Sequence, residues 1–273
     1  MRRPAGGKGR IRMTYCLAIK VREGLVCLAD GRITAGTQVT AARKVERLGI
    51  PASGAAGEMV LMTSGLRSVR DKTVAFFRRD LHRKGAKPFA SMLDAVDAYC
   101  GKLREVRDQD EEDLKASNLK FNIHTILAGK MEEDREPSCF LVYPEGNWIE
   151  IGTRTPYLSI GETSYGKPIL DRALTRDTDL ATALKLAYLS FDSTRISAAD
   201  VGFPIDMLTY PNAEGAWREA LYDYDDVIQQ RQWWNKHITE LAMKMPNGPW
   251  TGSLLPGGKA SGRLHVVTNE DEA

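Results

Sequence analysis

Four positions in the first quarter of the chain have the residue types that an N-terminal nucleophile needs. They are Thr14, Asp30, Lys44 and Gly65. A threonine hydroxyl is a weak nucleophile and needs a base. A threonine that is the first residue carries that base in its own α-amine, whose ordinary pKa is about 7.7–8.0. A neighbouring lysine ammonium disfavours the charged amine and so lowers its pKa.

The aspartate and the glycine complete the same chemistry. Asp30 ends an apolar segment and could hold the Lys44 ammonium in place. The backbone N–H of Gly65, at a strand-to-helix turn, is a candidate donor to the oxyanion that develops in acyl transfer. Each position alone has an ordinary structural explanation, such as a strand-initial threonine, an aspartate in a turn or a solvated lysine. Together the four match the needs of an N-terminal threonine nucleophile.

These residues must be positioned by a predicted β-hairpin. Residues 14–21 and 25–30 are apolar segments separated by the turn sequence Arg-Glu-Gly, which predicts two paired strands. Such a hairpin places Thr14 across from residues 30–32. Because both segments are almost continuously apolar, the sheet is expected to be covered on both faces.

After this hairpin, the hydrophobic pattern of the sequence predicts groups of strands that alternate with groups of helices. Grouped elements favour the α+β class, with two sheets between helix layers, over a doubly wound parallel sheet. Residues 31–44 are polar and predict a loop or an edge. The further predicted strands cover residues 45–48, 58–63, 121–128, 139–143, 148–151, 157–160 and 205–210, and the predicted helices cover 66–81, 89–106, 167–175, 180–194 and 225–245.

The charge of the chain is unevenly distributed. The whole chain carries a formal net charge of +2, from 38 Lys+Arg and 36 Asp+Glu. Subtracting the five charges of the first thirteen residues leaves −3 for the rest, so there is little electrostatic support for binding nucleic acid. The basic residues of this leader are Arg2, Arg3, Lys8, Arg10 and Arg12.

Several protein classes are excluded by pattern. No apolar run approaches the ~18 residues that a membrane span needs, and the leader lacks the apolar stretch of a secretory signal. The four cysteines are scattered and the four histidines lie far apart. That spacing predicts reduced, buried thiols in a cytoplasmic protein. It suggests no metal site, and the chemistry requires no cofactor.

Three longer motifs give the chain a specific resemblance. Over residues 13–245 it resembles the bacterial proteasome-type peptidases of the Anbu (ancestral β-subunit) family. The motifs are MTYCLAIKVREGLVCLADGRITAG at 13–36, IGETSYGKPILDR at 160–172 and SFDSTRISAADVGFPIDMLTY at 190–210. The resemblance implies the four-layer αββα sandwich of N-terminal nucleophile hydrolases. It also implies a threonine peptidase, a peptide or protein substrate, and self-association into a ring or open spiral.

The resemblance also implies roles for individual residues, with two departures. The family usually has Ser where this chain has Gly31, and Ser-Val-Gly where this chain has Asp-Val-Gly at 200–202. A carboxylate at Asp200 could raise the pKa of the terminal amine and make it a poorer base near neutral pH. The matched residues are Thr14 as nucleophile, Asp30 and Lys44 as the charged pair beside it, Gly65 as the oxyanion-hole amide, and Thr163 or Ser164, and Asp192, as supporting polar groups.

The leader bears directly on catalysis. With residues 1–13 attached, Thr14 has an amide nitrogen and no free amine. Translation from Met13, removal of the segment, or an inactive protein are the three alternatives. We favour the first, because Met13 precedes a small residue that permits removal of an initiator methionine. The expected organisation is therefore a leader over 1–13 that is absent from the mature protein, a hydrolase domain over 14–245 and a flexible tail over 246–273.

Three functional hypotheses are compatible with these residues. The first is a threonine hydrolase that cleaves peptide or other amide bonds through an acyl-enzyme intermediate. The second is a catalytically silent assembly subunit, which the leader and Asp200 favour. The third is a specialised amidase with one small substrate. No motif identifies a regulatory ATPase partner.

Overall fold

The computed structural model describes most of the chain. The leader 1–13 and residues 255–273 of the predicted tail lie outside the described residues. Within the described part, no helix is both long and apolar enough to cross a membrane. The described residues are 14–35, 38–41, 43–50, 57–84 and 89–254.

The described elements alternate in groups of strands and groups of helices, which makes the fold α+β. The strands are β1 (Tyr15–Val21), β2 (Gly24–Asp30), β3 (Arg32–Ala35), β4 (Gln38–Ala41), β5 (Val45–Ile50), β6 (Gly57–Gly65), β7 (Ile123–Lys130), β8 (Ser138–Val142), β9 (Trp148–Glu150), β10 (Tyr157–Gly161), β11 (Ile205–Pro211) and β12 (Arg218–Tyr222). The helices are α1 (Arg67–Leu81), α2 (Met92–Ala116), α3 (Lys167–Ala173), α4 (Leu180–Ser197), α5 (Ile228–Lys244) and α6 (Pro249–Leu254).

The hairpin predicted at the start of the chain forms the centre of one antiparallel five-stranded sheet. The strand order is β10-β1-β2-β11-β12. Cys16 pairs with Ala29 across β1 and β2, and Thr14 lies two residues before this pair. Every residue of both strands is buried, which their apolar sequences predict. The start of β1 is therefore fixed relative to the end of β2.

A second antiparallel sheet has the order β5-β6-β7-β8-β9. One apolar core joins its β5 to β8 to helices α1 and α2, and a separate core joins both five-stranded sheets. Alternate residues of β6 belong to the two cores: Leu61 contributes to the first and Met62 to the second. This is the period-2 alternation of a strand that is covered on both faces. The two sheets thus share an interior, and their strand ends lie near one another.

Helix α4 packs on the central hairpin of the first sheet, and α3 packs on α4. The Asp179 side chain caps α4 by accepting a hydrogen bond from the Thr182 N–H at 2.8 Å. Phe191 and Asp192 of α4 are both buried. This helix delivers the loop after it, residues 198–204, to the end of β2.

Some elements differ from the predicted ones. Strands β3, β4 and β12 were not predicted, because they are short and their residues do not form an apolar stripe. Helix α2 begins later than the pattern indicated, because Ser91 and Asp94 form a capping box that sets its first turn. It also continues through the acidic run to Ala116, where Asp110 binds Lys72 at 2.5 Å and Lys115 binds Glu111 at 3.2 Å.

The described residues fall into two units that divide between Asp226 and Val227. The second unit contains α5 and α6. No residue of α5 is buried, and Trp233, Leu241 and Met243 are exposed. Apolar side chains are therefore presented on the surface of this helix.

Gly161, the last residue of β10, pairs with Tyr15 at the start of β1. A substitution at Gly161 therefore tests this junction between the two strands. Its φ is +88°, and an added Cβ would lie 1.8 Å from the Thr14 carbonyl oxygen. Gly161→Ala should therefore lower the free energy of unfolding by more than about 1 kcal/mol in urea titrations. Gly152→Ala is the matched control, because no atom beyond its two neighbours in the chain lies within 4 Å of its added Cβ. Equal effects of the two substitutions would contradict this account of the junction.

Candidate active site

A buried ion pair between Asp30 and Lys44 is the centre of the candidate site. The Lys44 Nζ atom lies 2.7 Å from the Asp30 Oδ1 atom, and the two side chains are 6% and 0% exposed. Lys44 lies immediately before β5, and Asp30 is the last residue of β2. The pair therefore connects the two five-stranded sheets at one end of their shared interior.

Backbone donors also hold the Asp30 carboxylate. The Tyr15 N–H donates to Oδ1 at 2.8 Å, and the Gly202 N–H donates a longer bond to Oδ2 at 3.4 Å. Burial raises the pKa of Asp30 above its ordinary value, while Lys44 and the two N–H groups oppose that rise. Burying the charged carboxylate is unfavourable, and the ammonium and the N–H donors favour its ionised form.

Thr14 lies next to this ion pair, because the peptide bond that links it to Tyr15 is hydrogen-bonded to Asp30. Its carbonyl oxygen accepts a hydrogen bond from the Glu162 N–H at 2.7 Å, and the following N–H is the one that Tyr15 donates to Asp30. Thr14 is buried, with 7% of its surface exposed. The strand-initial threonine of the sequence analysis is therefore held beside the charged pair.

Gly65 ends β6 at the junction with α1 and is exposed. Its φ is +133°, and an added Cβ would lie 2.2 Å from the Asn122 carbonyl oxygen. Glycine is thus the residue that this turn accommodates. The neighbouring Thr63 carbonyl oxygen lies 3.9 Å from the Cys16 Sγ atom. This contact joins the end of β6 to the start of β1, so Gly65 belongs to the same region as Thr14.

The supporting residues occupy different surroundings. Thr163 follows the Glu162 whose N–H holds Thr14, and its carbonyl accepts from the Lys167 N–H at 3.2 Å. Ser164 is exposed, and its N–H donates to the Glu162 carboxylate at 3.2 Å. In the described part of the chain, the Asp192 carboxylate binds Arg195 at 2.7 Å. Thr163 and Ser164 thus directly follow the residue that holds Thr14, whereas Asp192 is engaged by its own helix.

Asp200 is half-buried in the loop that follows α4. The next two residues are buried, and the second of them, Gly202, donates its N–H to Asp30. Gly31 donates its N–H to the Pro204 carbonyl at 2.6 Å. The loop that carries Asp200 is therefore attached to the end of β2 by two hydrogen bonds.

Several groups in this region have no signature in the amino-acid sequence. The N–H of Tyr15 and the N–H of Gly202 were missed, because every residue but proline carries an N–H and its role has no signature in residue type. The pairing of Arg43 with Asp206 at 3.2 Å was also missed. Only the register of β11 against β2 brings Asp206 near this end of the sheet.

Cys16 is the thiol nearest along the chain to Thr14. It is fully buried, and burial raises its pKa well above the ordinary thiol value. A protonated, buried thiol is a poor nucleophile. Thr14 is therefore the better candidate in this region. Within the described residues, no group of three or more His, Cys, Asp or Glu side chains is placed to hold a metal ion.

Comparisons with known proteins identify close structural relatives. A scan against protein-family models and a search of curated proteins each gave no match. Among solved structures, a helical assembly of the Anbu complex from Pseudomonas aeruginosa is 32% identical, with a TM-score of 0.79 over 87% of this chain and 99% of that chain. A Gly-1 mutant of Anbu from Hyphomicrobium sp. strain MC1 is 31% identical, with a TM-score of 0.76 over 86% and 99%. Anbu (ancestral beta-subunit) from Yersinia bercovieri is 30% identical, with a TM-score of 0.74 over 86% and 99%.

The buried ion pair predicts an asymmetric response to substitution. Lys44→Met should lower the free energy of unfolding by about 3–5 kcal/mol at neutral pH, because it leaves the Asp30 carboxylate buried without its cation. The deficit should narrow in acid, since the folded state with its raised Asp30 pKa takes up the proton that removes the penalty. Urea unfolding at pH 7 and pH 5 measures both effects.

The double variant Asp30→Asn/Lys44→Met is the control for this prediction. It removes both charges, so its stability at pH 7 should lie within about 1 kcal/mol of the unsubstituted protein or above it. A double variant as unstable as Lys44→Met would contradict the assignment of the loss to an unpaired carboxylate.

Proposed function

Since the chain belongs to the Anbu (ancestral β-subunit) family, we propose that it is a threonine-type N-terminal nucleophile hydrolase that cleaves peptide or other amide bonds. The observation that carries the proposal is the buried Lys44–Asp30 pair beside Thr14, with Nζ 2.7 Å from Oδ1. Two buried charges are costly to keep in a fold. If Thr14 is the N-terminus, a buried ammonium beside it lowers the pKa of the terminal amine and so makes the amine available as a base.

In the first chemical step, the Thr14 Oγ1 atom attacks the substrate carbonyl carbon. The α-amine of Thr14 takes the hydroxyl proton, and the carbonyl oxygen becomes an oxyanion. The N–H of Gly65 donates to that oxyanion. The tetrahedral intermediate then collapses, the C–N bond breaks, and the protonated amine returns the proton to the leaving nitrogen. The products are a free amine and an ester of Thr14.

In the second step, water replaces the leaving amine. The α-amine of Thr14 removes a proton from the water, whose oxygen attacks the ester carbonyl. Collapse of this intermediate breaks the bond to Oγ1, which regains its proton, and releases a carboxylic acid. The chemistry is complete with the groups of the chain and water, so it requires no cofactor.

The proposal extends to the architecture and assembly of the protein. We propose that the elements stack as a four-layer αββα sandwich. The core shared by α1, α2 and one sheet, the core shared by both sheets, and the packing of α4 on β1 and β2 support that order. The Pseudomonas aeruginosa relative is a helical assembly, and we propose that this chain also self-associates. The proposed hydrolase domain covers residues 14–245, with a tail over 246–273.

The mechanism requires Thr14 to be the first residue of the active protein. While residue 13 is attached, the nitrogen of Thr14 is an amide without basic character. We therefore propose that the active form lacks the leader 1–13. A catalytically silent assembly subunit is the second candidate function, and the half-buried Asp200 favours it. A carboxylate near the terminal amine raises its pKa and weakens it as a base.

Covalent capture of Thr14 tests the proposed function. An electrophilic peptide probe, such as an epoxyketone, should add to the form that begins at Thr14, and intact-mass measurement should locate the adduct on that residue. Thr14→Ala should abolish labelling, because it removes the nucleophilic oxygen. Thr14→Ser keeps the hydroxyl and should retain labelling. Absence of labelling on a protein shown by mass to begin at Thr14 would instead support the silent subunit.

Removal of the Asp200 carboxylate should change the pH dependence of that labelling. The rate should rise with pH as the α-amine loses its proton. Asp200→Asn removes one negative charge from the surroundings of the amine, so the midpoint should move to lower pH by roughly 1 unit. Asp177→Asn is the control, because Asp177 is exposed and binds Arg22. An unchanged midpoint in Asp200→Asn would show that Asp200 does not act on the amine.

A further inference from the structure

The side chain of Arg32 lies against the loop that binds the Asp30 carboxylate. Arg32 is the first residue of β3, two residues after Asp30. A Cβ atom added to Gly202 would lie 2.9 Å from the Arg32 Cδ atom and 3.3 Å from its Nη1 atom. The N–H of Gly202 also donates to the Asp30 Oδ2 atom at 3.4 Å. One residue of this loop therefore contacts both the carboxylate of the ion pair and a second cation.

Arg32 differs from the other cations of this region, because it has no anion of its own. In the described part of the chain it forms no ion pair, and its Nε atom is buried without a hydrogen-bond partner. Arg43 and Lys44 are instead bound to buried aspartates. A buried donor without a partner is costly, and folded proteins keep few of them. Arg32 is therefore a candidate for a role other than stabilising the fold.

We propose that Arg32 is a second fixed positive charge of the candidate site, which acts together with Lys44 to favour the neutral form of the Thr14 amine. This inference rests on the proposed function, in which that amine is the base. A positive charge disfavours the charged form of a nearby amine. Arg32 acts through space in this role and does not touch the substrate.

Successive contacts join Arg32 to Thr14. Arg32 packs on Gly202, and the Gly202 N–H reaches one oxygen of the Asp30 carboxylate. The other oxygen of that carboxylate accepts the N–H that follows Thr14, at 2.8 Å. Arg32 and Thr14 thus flank one carboxylate. Because repulsion between charges falls with distance and with screening, a moderate effect is expected across this separation.

The charge of Arg32 is also opposite to that of Asp200, which lies two residues before Gly202 and is half-buried. The two charges therefore have opposite effects on a nearby amine. The remaining titratable groups around the site have partners or are neutral. Asp192 binds Arg195, Asp206 binds Arg43, the Glu162 carboxylate accepts the Ser164 N–H, and burial raises the pKa of Cys16 and Tyr15, which stay protonated.

The ordinary explanation of Arg32 is a side chain that buries its stem and extends its guanidinium into water. Water then screens the charge, and removing the charge has no effect on Thr14. The stem that packs on Gly202 supports the loop in either case. The two explanations therefore differ in whether the charge of Arg32 matters or only its length.

The effect of the charge is tested by the pH dependence of Thr14 labelling with the epoxyketone probe, in the form that begins at Thr14. Arg32→Met keeps an unbranched stem without the charge, so the midpoint should move to higher pH by roughly 0.5 unit. Arg32→Lys keeps a charge and should stay within about 0.2 unit of the unsubstituted protein. Arg22→Met is the matched control and should leave the midpoint unchanged, because Arg22 is exposed and binds Asp177 at the other end of the hairpin.

Unfolding in urea separates this role from a structural one. A charge without an anion does not stabilise the fold, so Arg32→Met should unfold at the same urea concentration as the unsubstituted protein or at a higher one. Arg32→Gln is a second neutral variant, for use if Arg32→Met does not fold. A neutral variant that unfolds at lower urea concentration and keeps the labelling midpoint would show that Arg32 is structural, and it overturns the proposal.

A third measurement does not need hydrolase activity. Acetic anhydride acetylates the neutral form of the Thr14 amine, so the acetylation rate as a function of pH, followed by peptide mass mapping, gives the pKa of that amine. Arg32→Met should raise this pKa by roughly 0.5 unit, as it raises the labelling midpoint. Arg22→Met should leave it unchanged, and an equal rise in Arg22→Met would overturn the specific role of Arg32.

These outcomes separate the role of Arg32 from the proposed function. If the unsubstituted form that begins at Thr14 is not labelled while the amine pKa rises in Arg32→Met, the hydrolase assignment fails and the role of Arg32 stands. If labelling occurs and Arg32→Met changes neither the labelling midpoint nor the amine pKa, the hydrolase assignment stands and the role of Arg32 is wrong.

Discussion

The ion pair between Asp30 and Lys44 is the interaction on which the candidate site depends. Both side chains are almost fully buried, and neither charge would be stable there without the other. Their contact joins the end of a strand in one sheet to the start of a strand in the other. The same carboxylate accepts the N–H that follows Thr14 and the N–H of Gly202. The two oxygens of the Asp30 carboxylate thus hold four segments of the chain together.

Much of this arrangement was predictable from residue type and periodicity. The two apolar runs predicted the β1–β2 hairpin and the placement of Thr14 near its end, because alternation and turn residues are local signals. Thr14, Asp30 and Lys44 could be grouped because residue type alone identifies a nucleophilic hydroxyl, a carboxylate and an ammonium. The family named by the sequence motifs is confirmed by the solved Anbu structures, which are 30–32% identical.

The elements and residues that could not be predicted from the sequence depend on contacts between segments far apart in the chain. Strand β12 has a mixed sequence and partly exposed residues. It is a strand because it pairs with β11, and its composition alone does not predict one. The N–H groups that hold Asp30 have no side-chain signature. Asp206 is an ordinary acidic residue until β11 pairs with β2 and brings it one position from Asp30. Residues that act through register are therefore the hardest to find in a single sequence.

The hydrogen bonds of Thr14 have a consequence for activation. Its carbonyl accepts from Glu162 and the adjoining N–H donates to Asp30, so both polar atoms of one planar amide group are anchored. That plane cannot rotate without losing both bonds, which leaves the torsions on the amino side of the residue as the remaining freedom. The threonine is preorganised by the bonds on its carboxyl side. Under the proposed function, activation would be a covalent change at one nitrogen, and it would leave these two anchoring bonds in place.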